Sequence, residues 1–124
     1  MIKVQKKIDD DVLMGAHCQD YPLYLERFSE LYANLENAPM CADNPMLMHA
    51  GWNFAIYTQA LTSKEFLIAY DFLKRVRRAL ARFVSDIDPQ LSTYAAADKL
   101  YQFTIKLQKH YEEFLQKKKI KKVL

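Results

Sequence analysis

Between Ala97 and Leu115, apolar residues recur every three or four positions, which places them on one face of an α-helix for about five turns. The chain of 124 residues contains only two glycines and four prolines, so it has few of the residues that the tight turns of an all-β protein require. The sequence therefore predicts an all-α fold. A chain of this length can bury its own core, and we expect a single-domain bundle of about four helices.

A first helix is predicted to begin after Asp20, which can cap it, with Pro22 in the first turn. Glu26 and Glu30 lie opposite its apolar face, so the exposed surface of this helix is acidic. The residues predicted to face the core are Tyr24, Leu25, Phe28, Leu31, Tyr32 and Leu35. The segment before Asp20 fits either a short extra helix or an extended arm.

A second helix is predicted from Pro45 to about Leu61, after a loop in which Asp43 and Asn44 favour a turn or a cap. No residue between Asn44 and Ser63 is charged, and apolar residues cover almost the whole helical wheel. Such a helix is usually central to a bundle or shared with another chain. Polar residues scattered through it argue against a membrane span, so no contact with a membrane is expected.

A third helix is predicted to run to about Val84, and "TSKE" before it matches a capping box formed by Thr62 and Glu65. Its predicted core residues are Phe66, Ala69, Tyr70, Leu73, Val76, Leu80 and Phe83, with Ile68 and Phe72 beside them. We expect a fourth helix to be capped by Asp88 or Ser92 and to pack as far as Leu115. The predicted helical domain spans residues 1–116, and residues 117–124 form a basic tail.

The polar side of the third helix carries the arginine stripe, which we define as Arg75, Arg78 and Arg82. These residues are three and four positions apart, so their side chains follow one line along the helix. Asp71 is placed to pair with Arg75, and Lys74 flanks the stripe. The helix therefore presents concentrated positive charge to solvent.

The formal charge of +3 conceals a division between the two halves of the chain. Residues 1–62 contain eight acidic and four basic residues, a balance of −4. Residues 63–124 contain seven acidic and fourteen basic residues, a balance of +7. Such charge asymmetry affects the choice of partners and not the fold. In a homodimer, the acidic first helix of one copy could contact the basic third helix of the other.

Sequence signals for catalysis are weak. The chain has no glycine-rich phosphate loop, no Cys-x-x-Cys pair and no two histidines at i and i+4. A zinc site would have to use His17, Cys18, Cys41 and His49, whose spacing offers no close pair beyond the first two. A Cys-His nucleophile would need one of the two cysteines beside His49 or His110, and buried structural roles explain these residues better. We expect no cofactor, no metal and no catalysis.

The beginning of the chain, "MIKVQKKIDDDV", has basic residues without an apolar run behind them, so it does not match a secretory signal. A cytoplasmic location is expected, in which both cysteines would be reduced thiols.

The basic segments favour a non-catalytic regulatory, inhibitory or adaptor protein that binds an acidic surface of another protein. The alternative is a nucleic-acid-binding protein whose same arginines contact phosphates, and a helical metallo- or thiol enzyme is a third hypothesis. Met40, Met46 and Met48 suit either the core or an adaptable apolar contact. The predicted partner-binding residues are Lys74, Arg75, Arg78, Arg82, Lys117, Lys118, Lys119, Lys121 and Lys122.

Overall fold

The structure is a computed structural model and describes residues 21–36, 38, 41 and 44–117. This part of the chain forms helices and contains no strand. The helices are α1 (Tyr21–Glu36), α2 (Pro45–Thr62), α3 (Phe66–Ser85) and α4 (Ser92–Lys117). The predicted all-α fold with four helices is confirmed.

The four helices pack as a bundle in which each contacts its two neighbours. α2 packs most closely on α3, α3 packs on α4, and α4 packs on α1, while α1 meets α2 along a much smaller surface. Residues 63–65 join α2 to α3 in a tight turn in which Lys64 has a positive φ of 60°. Among the described helices, α1 does not contact α3, so these two lie diagonally across the bundle. The side between α1 and α2 is consequently the most open.

Aromatic side chains fill the interior where the helices meet. Phe28 of α1 stacks on Phe54 of α2 with ring centroids 3.8 Å apart, and Tyr57 meets Tyr111 of α4 edge-on at 5.9 Å. The Tyr111 hydroxyl donates a hydrogen bond of 2.8 Å to the carbonyl oxygen of Phe66, which satisfies a buried polar group at the start of α3. The fully buried leucines are Leu35, Leu47, Leu73, Leu80, Leu100 and Leu107.

Two residues predicted to face the core are exposed, and these predictions were wrong. Leu25 of α1 is 39% exposed and Ile68 of α3 is 49% exposed. Each lies at the edge of an apolar arc that is wider than the neighbouring helix can cover.

The start of α2 agrees with the sequence. Asn44 is the N-cap, and its side-chain oxygen accepts hydrogen bonds from the backbone amides of Met46 at 2.8 Å and Leu47 at 3.2 Å. Pro45 occupies the first position of the helix, where no amide hydrogen is needed. The predicted N-terminal boundary of α2 is confirmed.

The capping box predicted before α3 was wrong. Thr62 is the last residue of α2, and its hydroxyl donates to the carbonyl oxygen of Thr58 at 2.9 Å. Glu65 stands at the N-cap of α3 without a side-chain hydrogen bond to the helix. The reason is that α2 continues further than expected: the amides of Ser63 and Lys64 bond to the last carbonyl groups of α2, which moves the turn past Thr62.

The connection between α3 and α4 also differs in detail from the prediction. α4 begins at Ser92, while Asp88 stabilises the preceding turn by accepting a hydrogen bond from the amide of Gln90 at 3.0 Å. Pro89, which would stand in the first helical turn if Asp88 were the cap, therefore lies in the loop.

No helix in the described part of the chain is long and apolar enough to cross a bilayer. The predicted N-terminal helix or arm and most of the basic tail lie outside the described residues. The domain bounds of 1–116 and 117–124 therefore stay predictions.

Candidate functional site

The arginine stripe lies on the side of α3 that faces away from the core. Arg75, Arg78 and Arg82 are all exposed, whereas Val76 and Leu80 between them are buried. Arg75 and Arg82 are seven positions apart, which corresponds to a rise of about 10 Å along the helix axis. The structure thus brings the three guanidinium groups together on one short, straight surface.

Only one end of the stripe is paired within the described residues. Arg75 Nη2 lies 3.1 Å from Asp71 Oδ2, and its guanidinium covers the ring of Phe72 with the central carbon 4.6 Å from the ring centroid. Arg78 and Arg82 have no carboxylate oxygen within 4.0 Å in that part of the chain. Two of the three guanidinium groups can therefore donate to an external carboxylate or phosphate without breaking an ion pair within the described residues.

Acidic residues mark both ends of the stripe. Asp71 is four residues before Arg75, and Asp86 is four residues after Arg82, so both lie on the same side of α3 as the arginines. Asp86 is exposed. The positive surface on α3 is therefore bounded by negative charge at each end.

Lys74 contacts a neighbouring residue of α3, whereas Arg77 contacts α4. The Lys74 ammonium lies 4.5 Å from the centroid of the Tyr70 ring, and Arg77 Nε donates a hydrogen bond of 2.6 Å to Gln108 Oε1. Both residues are half-buried. Lys74 was predicted to support partner binding, and the structure places it beside the stripe with its charge already next to an aromatic face.

The contact between α3 and α4 continues as a chain of hydrogen bonds. Gln108 Nε2 and the Tyr70 hydroxyl both donate to Glu112 Oε2, at 3.0 Å and 2.6 Å. Burial, followed by the hydrogen bond and negative charge of Glu112, raises the pKa of Tyr70 to about 12. This cluster fixes the orientation of α3, and with it the direction in which the stripe faces.

The basic tail begins far from the stripe. Phe114, near the end of α4, packs edge-on against Phe66 at the start of α3, with ring centroids 5.3 Å apart. α4 ends at Lys117, about one turn after Phe114. The stripe begins at Arg75, nine residues or about 13 Å along α3 from Phe66. Lys118, Lys119, Lys121 and Lys122 lie outside the described residues, so their predicted part in binding is not tested.

The thiol and histidine candidates among the described residues are Cys41, His49 and His110. Cys41 is buried, and burial raises the pKa of its thiol, which lowers the fraction of thiolate. His49 is exposed on α2, and His110 Nδ1 lies 3.4 Å from Glu113 Oε1. No group of three His, Cys, Asp or Glu side chains among the described residues could hold a metal ion. His17 and Cys18 lie outside this part of the chain.

The groove between α1 and α2 is a second surface. The sequence offered Met48 as suiting either the core or an apolar contact, but it did not predict the groove or the part of Trp52 in it. Trp52 is 73% exposed and Met48 is 57% exposed, both on the side of α2 that faces this groove. The available signal was the apolar wheel of α2, which predicted a shared or central helix but did not show which side would remain uncovered.

Comparisons of the chain with protein-family models, curated proteins and solved structures found no match. Its function is therefore argued from its own residues.

Proposed function

We propose that this protein is a non-catalytic regulatory or adaptor protein that binds an acidic surface of another protein through Arg75, Arg78 and Arg82. The observation that supports the proposal is the exposure of Arg78 and Arg82 on α3 without a carboxylate partner among the described residues. Planar guanidinium groups bind carboxylates in a bidentate manner, so a line of arginines suits a line of acidic side chains. The proposal includes a cytoplasmic location for the protein, as expected from the sequence.

The shape of the charged surface favours a protein partner over nucleic acid. The stripe extends for about 10 Å before Asp71 and Asp86 interrupt it, and these carboxylates would repel the next phosphates of a continuous backbone. A partner helix can instead present a few carboxylates at i, i+4 and i+7, which match the rise of the stripe. The ring of Phe72 lies under Arg75, which leaves it poorly placed for stacking on a base.

The proposal is tested by fluorescence anisotropy with three labelled probes: a helical peptide with glutamates at i, i+4 and i+7, a peptide of the same composition with scrambled spacing, and short DNA and RNA. The protein is compared with the triple variant Arg75→Ala/Arg78→Ala/Arg82→Ala across a salt series. The control is Lys99→Ala/Lys106→Ala/Lys109→Ala, which removes the same charge from exposed positions on α4.

We expect the protein to prefer the peptide with spaced glutamates and the arginine variant to bind it about tenfold more weakly, since three exposed ion pairs contribute about 0.5 kcal/mol each. The lysine control should lose much less affinity for this peptide. Binding of DNA or RNA near physiological salt that disappears in the arginine variant would instead assign the stripe to phosphates. Equal losses in the two variants, or no preference for spacing, would overturn the proposal.

A further inference from the structure

The groove between α1 and α2 is a preformed apolar cleft. It has a volume of about 660 Å³, and its walls include Leu25 and Tyr32 of α1 and Met48 and Trp52 of α2. This size is within the range in which proteins bind ligands and side-chain clusters. The cleft exists because α1 packs mainly on α4 and leaves its outer side separated from α2.

The floor of the cleft is held by direct contacts between the two helices. Phe28 and Phe54 stack with nearly parallel rings, and the Tyr32 hydroxyl donates a hydrogen bond of 3.1 Å to the carbonyl oxygen of Leu47. Gly51 allows this approach, because a Cβ atom there would lie 2.7 Å from the Tyr32 hydroxyl oxygen. The cleft therefore does not need to form when a partner arrives.

The walls expose more apolar surface than solubility requires. Trp52, Met48 and Leu25 are 73%, 57% and 39% exposed, and they line the same cleft. Single exposed apolar residues are ordinary, but a contiguous set around a concavity marks an interaction site. Trp and Met are also residue types that are enriched in protein interfaces.

The charges around the cleft are negative. Glu36 lines it, and Glu26, which is exposed, follows Leu25 of the cleft wall directly in the sequence. The one basic residue of α1, Arg27, is half-buried with its Nη1 3.7 Å from Glu30 Oε1, and α2 has no charged residue. An occupant that is both apolar and positively charged would complement this surface.

We propose that the cleft between α1 and α2 binds a cationic amphipathic helix of another protein. The partner would insert apolar residues spaced i, i+3 or i+4, and i+7 between Leu25 and Trp52, and would place lysines or arginines beside Glu26 and Glu36. The eleven-residue rise from Leu25 to Glu36 is about 16 Å, which matches three turns of a partner helix. This site shares no residue with the arginine stripe, because its walls belong to α1 and α2 and the stripe belongs to α3.

The test uses Trp52, which is the only tryptophan in the chain. Its emission in the full-length protein is followed during titration with an amphipathic leucine-lysine helix that contains no aromatic residue. Two further peptides serve as comparisons: the same composition in a scrambled order, and a leucine-glutamate helix. The leucine-lysine helix should give a saturable shift of the Trp52 emission to shorter wavelength, and the other two should give little or none.

Variants connect the binding to the cleft. Leu25→Ser/Met48→Ser should weaken binding of the leucine-lysine helix by about tenfold or more, since two apolar contacts are lost. The matched control is Ile68→Ser/Leu91→Ser, which alters residues that are 49% and 38% exposed elsewhere and should bind as the parent does. Circular dichroism and thermal unfolding of each variant confirm that the bundle is intact.

Several outcomes would overturn the proposal. Equal shifts with the leucine-lysine and leucine-glutamate helices would remove the role of the acidic rim. If, in the absence of peptide, the Trp52 emission shifts to shorter wavelength as the protein concentration rises, the cleft binds a second copy of this chain. If, in the absence of peptide, the Trp52 emission is already at shorter wavelength at every protein concentration, the cleft is occupied by a segment of the same chain.

Discussion

Tyr70 links two properties of the molecule at the scale of a single residue. Its hydroxyl bonds to Glu112 of α4, and its ring lies under the ammonium group of Lys74. Burial of the Tyr70 hydroxyl raises its pKa, and the hydrogen bond and negative charge of Glu112 raise it further, so the folded protein favours the neutral form. The same residue therefore stabilises the packing of α3 on α4 and makes it sensitive to alkaline pH.

Tyr70→Phe is expected to change the pH dependence of stability. Because the pKa of Tyr70 is raised to about 12 in the folded protein and is near 10 in an unfolded chain, its contribution is complete below pH 10 and is lost as the pH rises towards 12. The variant should lose about 1 kcal/mol at pH 8 with the hydrogen bond, yet its stability should fall less steeply between pH 10 and 12. Chemical denaturation at pH 8, 10 and 11 measures both effects.

Tyr101→Phe is the control for this experiment, since Tyr101 is also half-buried in α4 and its hydroxyl makes no hydrogen bond within the described residues. It should retain the wild-type fall in stability above pH 10. A Tyr70→Phe variant that falls as steeply as the wild type would show that the proton on Tyr70 does not contribute to the linkage.

At the scale of the element, α2 has two kinds of apolar surface. Leu47, Phe54 and Tyr57 are buried against the other helices, whereas Met48 and Trp52 are exposed along the cleft. The helix must therefore be positioned by its caps and core contacts, because no charged side chain on it orients it. Asn44 is the residue that determines where it begins.

Asn44→Ala should destabilise the protein by about 1 kcal/mol, because the amides of Met46 and Leu47 lose their side-chain acceptor. Asn44→Asp keeps an acceptor oxygen and should retain most of the stability. Urea denaturation of both variants gives the comparison. Equal losses of stability in Asn44→Ala and Asn44→Asp would indicate that the shape of the side chain matters more than its hydrogen bonds.

At the scale of the whole molecule, the bundle separates two surfaces of opposite charge. α1 carries exposed Glu36 at the apolar cleft, and α3 carries the exposed arginine stripe on the diagonal corner. An acidic partner and a cationic partner would consequently bind on different sides. This arrangement suits an adaptor that holds two proteins together, and it rests on both proposals made above.

The two surfaces should act independently. The arginine triple variant is expected to bind the leucine-lysine helix with unchanged affinity, and Leu25→Ser/Met48→Ser should bind the glutamate peptide as the parent does. In a variant that combines all five substitutions, the loss in binding free energy for each peptide should equal, within about 0.5 kcal/mol, its loss in the variant of its own surface alone, as expected for distant sites. A larger or smaller loss for either peptide, measured by anisotropy, would show that the two surfaces are coupled or are one.

The sequence by itself was sufficient for the fold class, the start of α2 and the line of the arginines. These features depend on local properties: the helical period, the capping side chain of Asn44 and the fixed rise between Arg75 and Arg82. It was not sufficient for the boundary at Thr62, since backbone amides of the following turn competed with the expected capping box.

The tertiary structure alone decided which apolar residues would remain uncovered. Leu25 and Trp52 have the same local pattern as residues of the core, and their exposure depends on α1 packing more closely on α4 than on α2. Likewise, the pairing of Tyr70 with Glu112 joins residues 42 positions apart, which no local pattern predicts. Periodicity shows which side of a helix is apolar, whereas the positions of the neighbouring helices determine how much of that side is buried.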